Sequence, residues 1–227
     1  DEPAVAEVLS HLGAVYIDLG RLEEAGRFLS RAETILARQP TPPVADLART
    51  LNLLGALAYK QGDLKAAEAR YSRSLELLRG EAQPPPREVA LALNNLAILA
   101  WRRADFTTAD RRYREALVLN EELLGANHPH LAAQLNNMGI LARDLGEFAE
   151  SERLHRRALA IAERALGPSH PDVASILSSL ARLYGRQERI AEGIPLLVRA
   201  LRIYREAYGE RHPDTGTTLV RLGDLER

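Results

Sequence analysis

Apolar and small residues recur along the chain at a fixed interval of 42 residues. Leu12, Leu54, Leu96, Met138, Leu180 and Leu222 form one column, and Leu9, Leu51, Leu93, Leu135, Leu177 and Leu219 form another three residues earlier. The position after the first column is small each time: Gly13, Gly55, Ala97, Gly139, Ala181 and Gly223. Two further columns of small residues run through Ala25, Ala67, Ala109, Ser151 and Gly193, and through Ala32, Ser74, Ala116, Ala158 and Ala200. Columns that stay in phase over the whole chain are the signature of a tandem repeat.

Within each unit the apolar spacing predicts two helices. In the third unit Val89, Leu93, Leu96 and Ala100 fall on one helical stripe, so a first helix runs from about Arg87 to Arg103. Ala104-Asp105 follows, where other units carry Gly20, Gly62 or Gly146; glycine there ends a helix in the left-handed conformation. Asp105 is placed to cap a second helix running from about Phe106 to Leu124. Pro40, Pro42, Pro43 and Pro84–86 separate the early units, and Gly125…His128-Pro129, Gly167…His170-Pro171 and Gly209…His212-Pro213 separate the later ones. Proline suits the first turn of a helix because its missing N–H is not needed there. The expected organisation is one all-α solenoid: repeat 1 at 3–44, repeat 2 at 45–86, repeat 3 at 87–128, repeat 4 at 129–170, repeat 5 at 171–212 and a terminal helix at 213–227. Gly193 and Pro195 inside the second helix of repeat 5 predict a bent or frayed first turn there.

Composition narrows the function classes. The formal net charge of −1 over 227 residues gives no general attraction to nucleic acid or anionic membrane. The absence of Cys excludes disulfides and thiolate metal sites. No apolar run reaches the ~18–20 residues that span a bilayer, so the expected location is cytoplasmic. All cations except Lys60 and Lys65 are Arg, a bias that points to a GC-rich bacterial genome. The start at Asp1 without Met is read as a segment of a longer protein.

The motifs resemble the tetratricopeptide repeat family. Its pattern of Leu-Gly-x-x-Tyr, a turn Gly and two Ala is matched by Leu12-Gly13-x-x-Tyr16, Gly20, Ala25 and Ala32. The 42-residue unit is similar to the kinesin light chain subtype, carried by Leu166-Gly167-Pro-Ser-His170-Pro171-Asp172, Leu93-Asn94-Asn95-Leu96-Ala97 and Arg157-Ala158-Leu159. Ala104 and Glu188 at turn positions, and the lack of His-Pro after repeats 1 and 2, depart from the pattern. The resemblance implies a right-handed α-solenoid whose first helices line a concave wall that binds peptides.

The core stripe leaves one side of each first helix for that wall. It carries Asn52, Tyr59 and Lys60 in repeat 2, Asn94, Asn95, Trp101 and Arg102 in repeat 3, Asn136, Asn137 and Arg143 in repeat 4, and Arg182 in repeat 5. Asn is a poor helix-interior residue, so a column of it on open faces calls for a reason. Its amides suit an extended peptide backbone, while the cations favour acidic side chains or a C-terminal carboxylate. Trp101 and Tyr59 suit an anchor pocket. The structural alternatives are Asn pairs bonding between first helices, Trp101 packing on a neighbouring repeat, and Arg residues that are solvated surface.

The remaining constellations read as structural. His128, His170 and His212 stand at separate junctions and suit helix starts. Glu152-x-x-His155 has the spacing of one half of a di-iron site, but position 155 aligns with Tyr71 and Tyr113 and so fills a packing position. The sequence therefore reads as a protein- or peptide-binding scaffold, not an enzyme, needing no cofactor or metal. A sensor segment of a larger signalling enzyme is the alternative. Self-association is a third option, because the terminal helix around Leu219, Leu222 and Leu225 is expected to expose apolar surface.

Overall fold

The computed structural model describes residues 2–225. The described elements are α-helices: α1 (Glu2–Asp18), α2 (Leu22–Ala37), α3 (Val44–Lys60), α4 (Leu64–Arg79), α5 (Pro86–Arg102), α6 (Phe106–Leu124), α7 (Leu131–Asp144), α8 (Phe148–Leu166), α9 (Pro171–Arg186), α10 (Ile190–Tyr208) and α11 (Pro213–Leu225). The second helices α2, α4, α6, α8 and α10 begin 42 residues apart, as the period requires. This is an all-α helical repeat solenoid. The chain divides into two compact units, Asp1–Leu123 and Leu124–Arg227. In the first, α1 pairs with α2 and α3 with α4, while α2 packs on α3 and α4 on α5. In the second, α7 pairs with α8 and α9 with α10, while α8 packs on α9 and α10 on α11.

Each pair closes at the small column. A Cβ on Gly55 would stand 2.5 Å from Cε1 of Tyr71, and one on Gly13 would stand 2.5 Å from Cγ of Leu29. Those second-helix side chains lie over bare first-helix backbone and are buried. Complete burial of a Leu such as Leu29 is worth about 2 kcal/mol. The core continues between repeats, where Leu36 of α2 meets Leu47 and Leu51 of α3.

The turn inside each repeat demands a left-handed residue whatever the side chain. Gly20, Gly62 and Gly146 have φ of 72°, 84° and 81°, and Ala104 and Glu188 hold 59° and 60°. Asp63 and Asp105 cap the following helices by accepting from Ala66 N at 2.9 Å and Thr108 N at 3.1 Å. Repeat 5 corrects the expected fraying: α10 begins in register at Ile190 and continues through Pro195 as one helix. Glu192 stands in that first turn, and Arg189 just before it binds Glu192 through two short bonds, which ties the helix start down.

The left-handed turn generates a prediction. Ala104→Gly and Glu188→Gly relieve the Cβ clash and should each raise stability by about 1 kcal/mol, read as a higher urea midpoint with unchanged slope. An unchanged or lowered midpoint would show that these turns hold no strain.

Candidate protein-interaction site

The first helices are enclosed on several sides, which decides how much of each predicted wall residue is open. In the first unit Asn52 is only 3% exposed, and its Nδ2 donates to Ser74 Oγ at 3.1 Å, which in turn donates to the Ala48 carbonyl at 2.9 Å. Asn94 and Asn95 are half-buried, and Asn94 Oδ1 is buried without a partner among the described residues. Tyr59 is half-buried with the Arg102 guanidinium 4.9 Å from its ring centroid, a cation–π contact that occupies one ring face. Lys60 reaches back to the Ile17 carbonyl near the end of α1, at 3.5 Å. Trp101 is half-buried at the end of α5.

In the second unit Asn136 is 8% exposed, and its Oδ1 lies 3.0 Å from His155 Nδ1. Because an amide oxygen only accepts, the imidazole donates from Nδ1, leaving Nε2 bare and without a partner among the described residues. His155 lies over Gly139, where a Cβ would be 2.7 Å from its Cε1; this is the packing position that Tyr71 fills in repeat 2. Two of the predicted amides, Asn52 and Asn136, are thus not on an open face. They bond to the second helix of their own repeat instead, because this column points between the paired helices. Among the described residues no hydrogen bond joins these amides to a neighbouring first helix, as the structural alternative supposed for them.

Arg143 is 5% exposed, with Nε and Nη2 on Asp144 Oδ1 at 3.0 and 2.7 Å and Nη1 unpartnered among the described residues. Arg182 is exposed, and its pKa is lowered by desolvation and by the nearby Arg143 and Arg221. Asn136, Asn137, Arg143 and Arg182 do converge. They line two cavities of about 300 Å³ each, formed along α7, α9 and α11. One holds Arg143, Arg182, Arg186 and Arg221 with Asp144 and Asp224, over an apolar floor that includes Ala181, Leu197 and Leu225. The other holds Asn136, Asn137, Ser178, Ser179, Thr217 and Thr218, and shares Arg182 and Arg221 with the first. Arg221, Thr217 and Asp224 were missed by the site prediction, although adding 42 to Ser179, Ser175 and Arg182 points to them.

The other constellations have local roles. Nδ1 of His128, His170 and His212 accepts from the backbone N–H two residues on, at 3.3, 3.1 and 3.3 Å, at the start of the following helices. Glu152 is held by Arg156, Tyr184 and Arg189, and these bonds, Arg189 first, lower its pKa. In the terminal helix Leu219 and Val220 are exposed, as expected for Leu219. Leu222 and Leu225 are half-buried, contrary to the expectation, and Leu225 lies against Gly185 and Gly193. Among the described residues no helix is long and apolar enough to cross a membrane.

Sequence profiles described as tetratricopeptide repeat match residues 4–80, 89–130, 130–192 and 172–227. The chain belongs to the tetratricopeptide repeat family. Among solved structures, it is similar to BtubC (BKLC) from P. vanneervenii at 25% identity, covering 90% of this chain and 81% of that one with a TM-score of 0.74. A kinesin light chain-like protein of Podosopora anserina with nearly identical repeats matches at 17% identity, 91% and 98% coverage and a TM-score of 0.71. The signal transduction ATPase with a tetratricopeptide repeat sensor from Pyrococcus horikoshii matches at 14% identity over all of this chain and 34% of its own length, with a TM-score of 0.71. No curated protein matches. The tetratricopeptide fold is a protein-interaction scaffold, and this repeat array shares it.

Two predictions follow from the Asn136–His155 pair. Asn136→Ala strands a buried N–H and should cost about 1–3 kcal/mol, whereas Asn137→Ala should leave the thermal midpoint unchanged; equal effects would remove the distinction. Burial, then the Arg143 charge, pushes the His155 pKa down to about 4 from an unfolded value of 6.5. The folded state therefore prefers the neutral ring. Stability from this group is complete above pH 6.5 and falls as the pH drops toward 4, by up to about 3 kcal/mol. His155→Tyr should flatten that slope between about pH 6.5 and 5, where carboxylates stay ionised; an unaltered slope in urea titrations would locate the acid sensitivity elsewhere.

Proposed function

We propose that the chain is a non-catalytic protein-binding scaffold, cytoplasmic in location, whose second unit takes an extended peptide along α7, α9 and α11. The observation that carries this reading is the pair of cavities sharing Arg182 and Arg221, which sets amide and hydroxyl groups beside unpaired cations over an apolar floor. Asn137 and the hydroxyls suit a peptide backbone, and the arginines suit acidic side chains. Asn95, Trp101 and Arg102 extend the candidate surface within the first unit, with Tyr59 and Arg102 acting there as a stacked pair. A second reading, a sensor segment of a larger signalling protein, is supported by the likeness to the Pyrococcus horikoshii ATPase, whose sensor is built of these repeats.

Fluorescence anisotropy with labelled acidic dodecapeptides tests the first reading. Saturable binding is expected, weakened about tenfold by Arg182→Ala, with the thermal midpoint unchanged. Binding that Arg182→Ala and Asn137→Ala leave intact would place the site elsewhere, and no saturable binding would end the peptide reading.

A further inference from the structure

Many of the described arginines are committed to ion pairs. Arg70 pairs with Glu33, Arg103 with Glu68, Arg153 with Glu150, Arg189 with Glu152 and Glu192, and Arg199 with Glu163. The arginine-lined cavity of the second unit departs from this. Among the described residues, Arg182, Arg186 and Arg221 make no ion pair or hydrogen bond. Arg143 is nine-tenths buried, lines the same cavity and keeps Nη1 unpartnered. Four arginines against Asp144 and Asp224 leave a formal excess of two positive charges. In the adjoining cavity the buried Ser178 Oγ also lacks a partner among the described residues.

We infer that this cavity takes the phosphoryl group of a phosphorylated Ser or Thr in a bound peptide, an inference that rests on the peptide reading above. Charge decides between the two common anions. A carboxylate brings one negative charge and two oxygens, and would leave part of the excess uncompensated. A phosphomonoester brings about −1.5 to −2 at neutral pH and three acceptor oxygens. That matches the excess and can engage several planar guanidinium forks together, as a carboxylate cannot. The volume of about 300 Å³ admits the phosphoryl group with its Ser or Thr stem above the Leu197 and Leu225 floor. The neighbouring cavity is less suited to the dianion, because Asp214 faces it and only Arg182 and Arg221 supply charge. Its hydroxyls and amides are left for the flanking peptide backbone.

The test uses three degenerate undecapeptide libraries with Ser, phosphoserine or Glu at the centre, titrated by anisotropy against the full chain. Inorganic phosphate is titrated separately by thermal shift. The phosphoserine library should bind about tenfold tighter than the Glu library. The double variant Arg182→Gln/Arg221→Gln should erase that preference while circular dichroism shows the fold retained. Inorganic phosphate should raise the thermal midpoint of the native chain and not of the double variant. Equal binding of Glu and phosphoserine libraries, with no phosphate shift, overturns the phosphoryl assignment while the peptide reading stands. Stabilisation by phosphate that needs both arginines, with no library bound, upholds the anion site and removes the peptide reading.

Discussion

Where the two helices of a repeat meet, a side chain from the second helix lies on bare backbone of the first. Leu29 does so at Gly13, Tyr71 at Gly55 and His155 at Gly139, with less than 3 Å left for any Cβ. Close packing of this kind tolerates almost no added volume. It sets the separation of each pair, and with it which flank of the first helix faces its partner and which faces outward. The caps, the left-handed turns and the interaction surface are all placed relative to this contact.

The same contact explains why the Asn column has divided duties. A large side chain lying over Gly leaves polar room beside it, one helical turn before the small residue. Asn52 fills that room against Ser74, and Asn136 fills it against His155. The partner changes with the residue that occupies the second-helix position. An amide is suited to this because it donates and accepts, so it satisfies a hydroxyl in one repeat and an imidazole in another. The neighbouring position, Asn95 and Asn137, escapes the pairing and is half-buried, open on one side.

The repeat was legible because packing imposes one pattern five times, and a fixed period of small and apolar residues has few other physical causes. Helix starts, the cap at Asp105 and the packing role of His155 followed from that period and its Gly and Pro punctuation. The openness of individual wall residues did not follow. A helical wheel says which side a residue faces, but not how far a neighbouring helix reaches over that side. Asn52 and Arg143 were therefore read as more open than they are, and Tyr59 was read as free although Arg102 stacks on it. Arg221 was within reach of the period, one step beyond Ser179, but the terminal helix was weighed only for its apolar face.

Ion pairing separates scaffold from surface. Arg70–Glu33, Arg79–Glu115 and Arg199–Glu163 join side chains of successive second helices, 36 or 37 residues apart, so part of the charge on those helices links repeats. Each such exposed pair adds little, typically 0 to about 1 kcal/mol. The first helices of the second unit have no such partners for Arg182 and Arg186, and α11 adds Arg221 to the same place. Desolvation of these guanidinium groups, and then their mutual repulsion, oppose folding, and both lower the pKa of Arg182. An arrangement that costs stability in the free protein is relieved when an anion enters, and that relief adds to the affinity of whatever supplies the anion.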